Sequence, residues 1–381
     1  MQRYIILTHE DVQPYAAGAN IGRFPDLLAA FIKHQCTTWP ELAYARGALS
    51  SSMTRRIVLR EREVMLQHIP HRITSSSSRV DHEYIAQRPC FLCPDMLYEQ
   101  QRALPFRDAW LVLNNPFPIF PDHLVIVHRR HLPQRIDACL AAMIDFVQDT
   151  ACAYTAFYNG PACGASAPDH LHFQACPDGG IPLTRQLDDL TSSPSFSCIA
   201  TDGESRWYIG ELDCRALFVC IARHPEKLAA AMTCVVQYLE QKTGHTPEPM
   251  VNVIITKVPP HRHIPPHAPT PVDHGSVKTT TDADTYNNAA DSYMGIIAPR
   301  KAHRPVCFFK SGTDNLMVSP GAVDIGGRLI LPRHDDFHRM NRDLVLEIFS
   351  EVCFGKTIFD DLCLYRDRVK TGKSATPLPY T

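Results

Sequence analysis

The chain has 381 residues, a hydrophobic content of 45% and a net charge of −2. This length allows two domains or one large domain of two halves, and the near-neutral charge argues against a broad basic surface for nucleic acid or membrane. Fourteen cysteines at irregular spacing, no apolar run of the ~20 residues that a membrane helix needs and no signal-like apolar start predict a cytoplasmic protein with free thiols.

The first 85 residues are expected to form an irregular N-terminal extension. Apolar residues recur at helical spacing over residues 24–36 and 39–48. Residues 54–67 alternate charged with apolar side chains, which is typical of a strand or a hairpin. Four consecutive serines at 75–78 indicate a solvated turn.

A C-x-x-C motif between two prolines follows this extension, with its cysteines at Cys90 and Cys93. Two thiolates at this spacing can bind one metal ion, but zinc needs two further ligands and the chain has no second C-x-x-C. Coincidental thiols remain an alternative. A redox pair is less favoured, because no strong strand signal precedes Cys90.

The next stretch has the order strand, strand, helix, strand, loop, strand. Strands are predicted over 110–114, 123–128 and 154–158, and a helix is predicted over 133–151, where a proline suits the first turn. The polar residues at the ends of the first two strands are Asn114, Asn115, His128 and His131.

The segment over residues 159–174 has the strongest chemical signal. Its candidate functional residues are Asn159, Gly164, Ser166, His170, His172 and Gln174. Because successive strand side chains point to opposite faces, the two histidines and the glutamine are expected to share one face. The small loop residues before them leave backbone N–H groups open to a phosphate. Alternating histidines alone are often structural, but the glutamine and the loop favour a reactive site.

This segment resembles the active site of the histidine-triad (HIT-like) superfamily in its transferase and phosphorylase branch. That branch includes galactose-1-phosphate uridylyltransferase, diadenosine tetraphosphate phosphorylase and the GDP-hexose phosphorylases, and its pattern is His-x-His-x-Gln after an Asn/Gly/Ser loop. The resemblance implies that His172 attacks the α-phosphorus and carries the nucleotide covalently. It also implies that Gln174 holds phosphate oxygens and that His170 belongs to the catalytic set. The hydrolase branch usually has a third histidine in place of this glutamine.

The resemblance further implies a structural zinc ion and a substrate pocket. The zinc ligands would be Cys90, Cys93, His128 and His170, with His131 as the alternative to His128. Such a Cys₂His₂ set is common in tetrahedral zinc sites. The substrate-binding residues would be Asn114, Asn115, Asn159, Gly164 and Ser166.

Residues 201–335 repeat the order of the first half in degenerate form. Strands are predicted over 216–222, 250–257 and 293–299, a helix over 225–242, and a linker over 182–206. The expected counterpart of the His-x-His-x-Gln strand is apolar and ends in Arg300 and Lys301. These two residues form either a solvated strand end or a contact with a substrate phosphate.

Two other segments of this half carry weaker signals. Residues 259–291, with histidines at 261, 263, 267 and 274, favour a flexible insertion over a metal-binding tract. The turn-rich segment 319–327 is expected to line the pocket.

We therefore predict an α+β fold of duplicated HIT-like halves, each an antiparallel sheet with a packing helix, with the second half degenerate. The predicted boundaries are 1–85 for the extension, 86–200 for the catalytic half, 201–335 for the degenerate half with its flexible insertion at 259–291, and 336–381 for a C-terminal helix and tail.

The predicted function is that of a nucleotidyltransferase or phosphorylase that cleaves a nucleotide sugar or a dinucleoside polyphosphate. Phosphate or a sugar phosphate would be the acceptor, and neither nucleic acid nor membrane would be a partner. The alternatives are a HIT-type hydrolase, which would accept water, and a non-catalytic, zinc-stabilised nucleotide-binding protein.

Overall fold

The structure is a computed structural model that describes residues 4–370 apart from 78, 152, 187–190, 192 and 259–291. Its strands are β1 Thr54–Val58, β2 Glu63–His68, β3 Leu104–Phe106, β4 Trp110–Asn114, β5 Leu124–His128, β6 Tyr154–Asn159, β7 His172–Pro177, β8 Phe196–Thr201, β9 Ser205–Leu212, β10 Arg215–Ala222, β11 Val251–Val258, β12 Ser292–Pro299 and β13 Arg328–Leu331. The predicted insertion and its four histidines lie outside the described residues.

The α-helices of the described residues are α1 His9–Val12, α2 Phe24–Thr38, α3 Pro40–Leu49, α4 Ile73–Ser76, α5 His82–Gln87, α6 Ile136–Asp149, α7 Pro225–Thr243, α8 Val306–Phe309, α9 Ala322–Ile325, α10 His334–Arg339, α11 Arg342–Val352 and α12 Leu362–Lys370. None of these helices has both the length and the apolar character needed to cross a bilayer.

The ten-stranded antiparallel sheet at the centre has the order β3-β4-β5-β7-β6-β11-β12-β10-β9-β8, and β1, β2 and β13 form a separate three-stranded sheet. The large sheet has two five-strand parts that meet where β6 pairs with β11, and both parts have the same strand order when followed outward from that junction. On each side, the fourth strand in chain order is innermost, followed by the fifth, third, second and first. A long helix, α6 or α7, connects the third strand to the fourth on each side. The predicted α+β class with a large antiparallel sheet is confirmed.

Helices α2, α6 and α7 cover one face of this sheet, called the helix face below, and the opposite face is covered differently in its two parts. On the helix face, Phe173 of β7 packs in one core with Met143 of α6. On the opposite face, Met294 and Ile296 of β12 pack with Phe349 of α11 in a second core. Strand periodicity places His172 and Gln174 on the same side as this second core, where a cavity opens instead.

The predicted linker over 182–206 is wrong in its second part. Residues 196–201 form β8, which pairs with β9 at the edge of the sheet. The strand signal was short, because only Phe196 and Cys198 alternate with a polar residue before the register shifts between Cys198 and Ala200. The boundaries predicted at residues 85, 200 and 335 stay predictions, and β8 spans the second of them.

Candidate functional site

A cavity of about 480 Å³ lies over the first part of the sheet. Its walls come from β4 to β7, from residues 72–101 and from residues 319–330. The turn-rich segment of the second half does line it, as predicted. The predicted site residues that line it are Asn115, Asn159, Gly164, Ser166, His172 and Gln174.

His172 is held by hydrogen bonds that fix both its backbone and its ring. Its Nδ1 lies 2.7 Å from the backbone oxygen of His170. A carbonyl can only accept, so Nδ1 carries the proton and Nε2 keeps its lone pair. The Gln134 side chain accepts from the His172 N–H at 2.9 Å and donates to the His172 carbonyl at 2.9 Å. Burial lowers the pKa of His172 to about 4, so the ring is neutral near pH 7.

Gln174 is oriented by His123, a residue that sequence reasoning did not assign to the site. The backbone N–H of Ile119 donates to His123 Nδ1 at 3.3 Å, which leaves Nε2 as the protonated nitrogen. His123 Nε2 lies 2.9 Å from Gln174 Oε1 and donates to it. The two N–H donors of the Gln174 amide are thereby directed away from His123. Burial lowers the pKa of His123 to about 3, which keeps this ring neutral.

His170 does not share the cavity-facing side with the other two residues of the motif, so that prediction is wrong. Strand β7 begins only at His172, and His170 lies in the turn before it. Its ring is completely buried, with Nδ1 3.4 Å from Cys90 Sγ and 3.5 Å from Cys93 Sγ. His170 does not line the cavity, and its link to His172 is the backbone carbonyl.

The side chains of Cys90, Cys93, His131 and His170 form a group that could hold a metal ion, because their ligand atoms all lie within 4.8 Å of one another. The S···N distances of 3.3–3.5 Å match the ~3.5 Å edge of a tetrahedron with zinc–thiolate and zinc–imidazole bonds. His170 Nε2 donates to the His128 carbonyl at 2.9 Å, the outer contact that ligand histidines usually make. The four residues fit zinc.

The third ligand of this group is His131, and the choice of His128 from the sequence is corrected. On β5, Leu124 and Ile126 face the helices, and alternation sends the His128 ring to the same face. It lies edge-on to Trp110, with ring centroids 5.4 Å apart. His131 lies beyond the strand end, is exposed, and places Nδ1 3.3 Å from Cys93 Sγ.

The loop before the motif is fixed to the second half of the chain. Asn159 Oδ1 accepts from the backbone N–H of Ala322 at 2.7 Å and from Asn252 Nδ2 at 3.1 Å. Gly164 has φ of +113°, and a Cβ there would lie 3.0 Å from both Asn159 Oδ1 and Gly321 Cα. A glycine is therefore required by conformation and by space.

The two asparagines after β4 have different positions. Asn115 lines the cavity, and its Oδ1 accepts from the Phe117 N–H at 2.9 Å. Asn114 is buried and does not line the cavity, which corrects its predicted substrate contact. Its Nδ2 has no hydrogen-bond partner in the described part of the chain.

Arg300 and Lys301 do not line the cavity either, so their predicted contact with a substrate phosphate is wrong. The Arg300 side chain is only 1% exposed. Its guanidinium donates to Asn252 Oδ1 and to the backbone oxygens of Pro320, Val352, Ala302 and His303. Lys301 is exposed outside the cavity.

Positive charge comes instead from Arg72 and Arg79 of the N-terminal extension and from Arg88 just after it, all of which line the cavity. Arg88 pairs with Asp169 at 2.6 Å. Arg79 pairs with Asp81 at 2.9 Å, and Arg72 is buried with Asp324 nearby. Neither Arg72 nor Arg88 had a motif signal, because only long-range packing brings them to the site.

Comparisons with known proteins support the fold. A family model described as a domain of unknown function (DUF4922) matches residues 31–177. Among curated protein sequences, none matches this chain significantly. The structure of yeast Ap4A phosphorylase in complex with Ap4A is similar, with a TM-score of 0.51 and 16% identity over 85% of this chain and 97% of that one.

Two further solved structures are more weakly similar. The AMP complex of the yeast enzyme has a TM-score of 0.48 and 14% identity, over 85% of this chain and 96% of that one. A GALT-like protein from Arabidopsis thaliana has a TM-score of 0.30 and 15% identity, over 79% of this chain and 99% of that one. At 16% identity, the similarity to the Ap4A complex shows a shared fold, an α+β fold with a large antiparallel sheet.

Proposed function

We propose that the chain is a nucleotidyltransferase or phosphorylase that cleaves a nucleotide sugar or a dinucleoside polyphosphate through a nucleotidyl-His172 intermediate. The observation that supports this most directly is the His172 ring, which lines the cavity, is tied at Nδ1 to the His170 carbonyl and keeps an unprotonated Nε2. The yeast relative whose fold it shares is a phosphorylase bound to Ap4A.

In the first step, the Nε2 lone pair attacks the α-phosphorus of the donor. A P–N bond forms, the P–O bond to the leaving group breaks, and the leaving phosphate departs with the bonding electron pair. A neutral imidazole avoids the repulsion that an anionic nucleophile meets at a phosphate. The positive charge that develops on the ring is stabilised by the bond from Nδ1–H to the His170 carbonyl.

The negative charge of the transferring group meets donors that are already oriented. The Gln174 amide, held by His123, presents N–H groups that cannot titrate away, and the Ser166 hydroxyl lies in the same cavity wall. Arg72 and Arg88 add positive charge to the cavity wall.

In the second step, an oxygen of inorganic phosphate or a sugar phosphate attacks the same phosphorus. The P–N bond breaks and returns its electron pair to Nε2, so the enzyme ends as it began. If water were an equally good acceptor, the protein would be a hydrolase.

The zinc fit has a structural meaning in this scheme. The ion would be held by Cys90, Cys93, His131 and His170. It would link these segments of the chain and would take no part in the reaction. Fixing the His170 ring also fixes the neighbouring carbonyl that orients His172.

We also infer that the two parts of the ten-stranded sheet arose by internal duplication. The mirrored strand order about the β6–β11 junction and the equivalent places of α6 and α7 support this inference. In this interpretation the second half lost the reactive strand and kept the scaffold.

The test is to trap the intermediate. The full chain is incubated with α-³²P-labelled Ap4A, ADP-glucose, GDP-mannose or UDP-glucose and quenched in alkali, and an acid-labile adduct is mapped by mass spectrometry. We expect label on His172, loss of label in His172→Asn, and retention in the control His68→Asn, whose half-buried ring lies outside the cavity wall. Absence of label with every donor would overturn the proposal, and release of nucleotide without added phosphate would indicate the hydrolase.

A further inference from the structure

We infer that Gln101 recognises the nucleobase and selects a base with an exocyclic amino group over its keto counterpart. This inference rests on the proposed function, because it identifies the substrate class of the same cavity. It concerns a residue that the sequence analysis did not single out.

Part of the cavity wall is apolar and suits a flat base, and this part is called the apolar slot below. Leu92, Leu97, Leu113 and Val125 line the cavity and pack together in one apolar cluster. Phe91 lies in the same wall and is 41% exposed. Such a slot binds an aromatic base by burying its apolar faces, and its few polar groups determine which base is preferred.

Gln101 is the polar side chain positioned to make this choice. It lines the cavity, is only 5% exposed, and its Nε2 donates to the Asn114 backbone oxygen at 3.0 Å. Asn114 directly follows Leu113 of the slot, so the amide lies at the slot's end. Within the described part of the chain, Gln101 Oε1 has no recorded partner. Once a bound base excludes water from this acceptor, leaving it unpaired is costly, so the site favours a ligand that donates to it.

The orientation of this amide is fixed by its own contact. Rotating it by 180° would place Oε1 against the Asn114 oxygen, which is also an acceptor. Gln101 therefore presents an oxygen to the ligand and cannot adapt to a keto group, unlike a freely rotating glutamine.

The backbone on both sides of Gln101 is hydrogen-bonded to one side chain of helix α2. Gln35 is fully buried, its Nε2 donates to the Gln100 oxygen at 3.2 Å, and its Oε1 accepts from the Arg102 N–H at 2.8 Å. Both chain neighbours of Gln101 are thus held by a single side chain. A pre-positioned acceptor discriminates more sharply than a mobile one.

The chemical consequence concerns pairs of bases that differ at one substituent. An amino group of adenine or guanine can donate to Gln101 Oε1, whereas a keto oxygen at the same place opposes it with a second acceptor. A site built for a hydrogen bond rejects the analogue that lacks it much more strongly than an apolar pocket rejects a small change in size. We expect a difference in affinity of about 10- to 100-fold.

Equilibrium titration of the full chain with AMP, GMP and IMP tests the inference without turnover. Hypoxanthine lacks both the 6-amino group of adenine and the 2-amino group of guanine. We expect AMP or GMP to bind at least about 10-fold more tightly than IMP, and the tighter of the two identifies the amino group. Equal affinities for AMP, GMP and IMP would overturn the inference. A further titration with 2′-deoxy-AMP would also overturn it if only this ligand bound more weakly, because that result would assign Gln101 to the sugar.

A variant pair checks the residue. Gln101→Met should bring the amino-to-keto affinity ratio close to one. Gln67→Met should leave the ratio unchanged, because Gln67 is also 5% exposed and hydrogen-bonded but does not line the cavity. An unchanged ratio in Gln101→Met would contradict the inference. Labelling of His172 together with equal AMP and IMP affinities would leave the proposed function standing, whereas no labelling and no nucleotide binding would remove both.

Discussion

Strands β7 and β12 occupy corresponding places in the two parts of the ten-stranded sheet, yet they use the face opposite the helices in different ways. On β7 that face presents His172 and Gln174 to a cavity. On β12 it presents Met294 and Ile296, which are sealed under α11 and the segment 316–331. Corresponding strands thus present polar side chains to a cavity in one part and apolar side chains to a core in the other. The difference lies in which segments cover the strand.

The covering segments also explain how the second part supports the first. Residues that follow β12 cross over and form a wall of the cavity, and Asn252 fixes the loop through Asn159. The second part therefore supports the cavity of the first, although the corresponding face of β12 is filled with core residues. The following predictions test this division, from the largest expected effect to the smallest.

The first prediction concerns the metal site, whose four ligand residues all belong to the first part of the molecule. The purified protein should contain about one zinc per chain, and His131→Ala should lose it, because three ligands no longer close a tetrahedral site. His128→Ala is the matched control and should keep the metal, since the His128 ring faces the helices and only its backbone oxygen contacts His170. Elemental analysis after dialysis measures both. If His128→Ala lost zinc and His131→Ala kept it, His128 would be the third ligand, as the sequence had predicted.

The second prediction separates reaction from packing on β7. Gln174→Ala should lower kcat by about 10²- to 10³-fold, the usual effect of removing one preorganised donor from a transition state. Gln174→Glu keeps the acceptor for His123 but places a carboxylate near the phosphate, so it should be slower still. Single-turnover kinetics with a labelled donor measures both variants. A change in KM with kcat intact would show that Gln174 acts only in binding.

The third prediction addresses β12. Ile296 is 1% exposed, and Ile296→Ala should reduce the free energy of unfolding by about 2–5 kcal/mol through lost burial and a cavity. Turnover per folded molecule should stay the same, because Ile296 does not line the reactive cavity. Urea denaturation measures the stability. The control Leu364→Ala removes a side chain that is 57% exposed and should cost far less.

The fourth prediction concerns a carboxyl group that connects the two parts. Glu248 precedes β11, accepts from the Ile136 N–H of α6 at 2.6 Å and from the Tyr158 hydroxyl at 2.7 Å, and burial raises its pKa to about 7. Because the folded pKa lies above the unfolded value, Glu248 contributes most to stability below pH ~4.3, and that contribution is lost as pH rises through 7.

Glu248→Gln should therefore gain stability relative to the parent chain as pH rises from about 4.3 to about 7, by at most about 4 kcal/mol, and keep that gain at higher pH. Urea titrations at each pH measure the difference between the two chains. The exposed Glu226→Gln should show no such trend. A difference that does not depend on pH would mean that Glu248 stays ionised.

The sequence was most informative where a short-range rule governs geometry. Alternation along a strand correctly brought His172 and Gln174 to one face. The same rule places His128 beside Leu124 and Ile126 on the helix face, so the signal against it as a ligand was present but was overridden by the family resemblance. The C-x-x-C and His170 lie far apart in the chain, and the family resemblance, not a local rule, correctly brought them together.

Residues whose roles depend on distant packing were not predictable. Arg300 is a cation at a strand end in the sequence, and only the segments around Pro320 and Val352 convert it into a buried scaffold residue. Arg72, His123 and Gln101 reach the cavity through contacts far along the chain, with no local motif to mark them. Local pattern thus located the reacting atoms, and long-range packing determined the walls around them.

The pairing of β6 with β11 has a consequence for dissection of the protein. Asn159 lies opposite Asn252 in that pairing, and both strands are the innermost of their parts. A fragment that ended after β7 would expose the whole free edge of β6, with its backbone donors and acceptors unpaired. That edge already pairs antiparallel with its topological counterpart, which is the geometry of a two-fold symmetric contact. The excised fragment would consequently tend to self-associate edge to edge, and its reactive loop would lack the asparagine that holds it in shape.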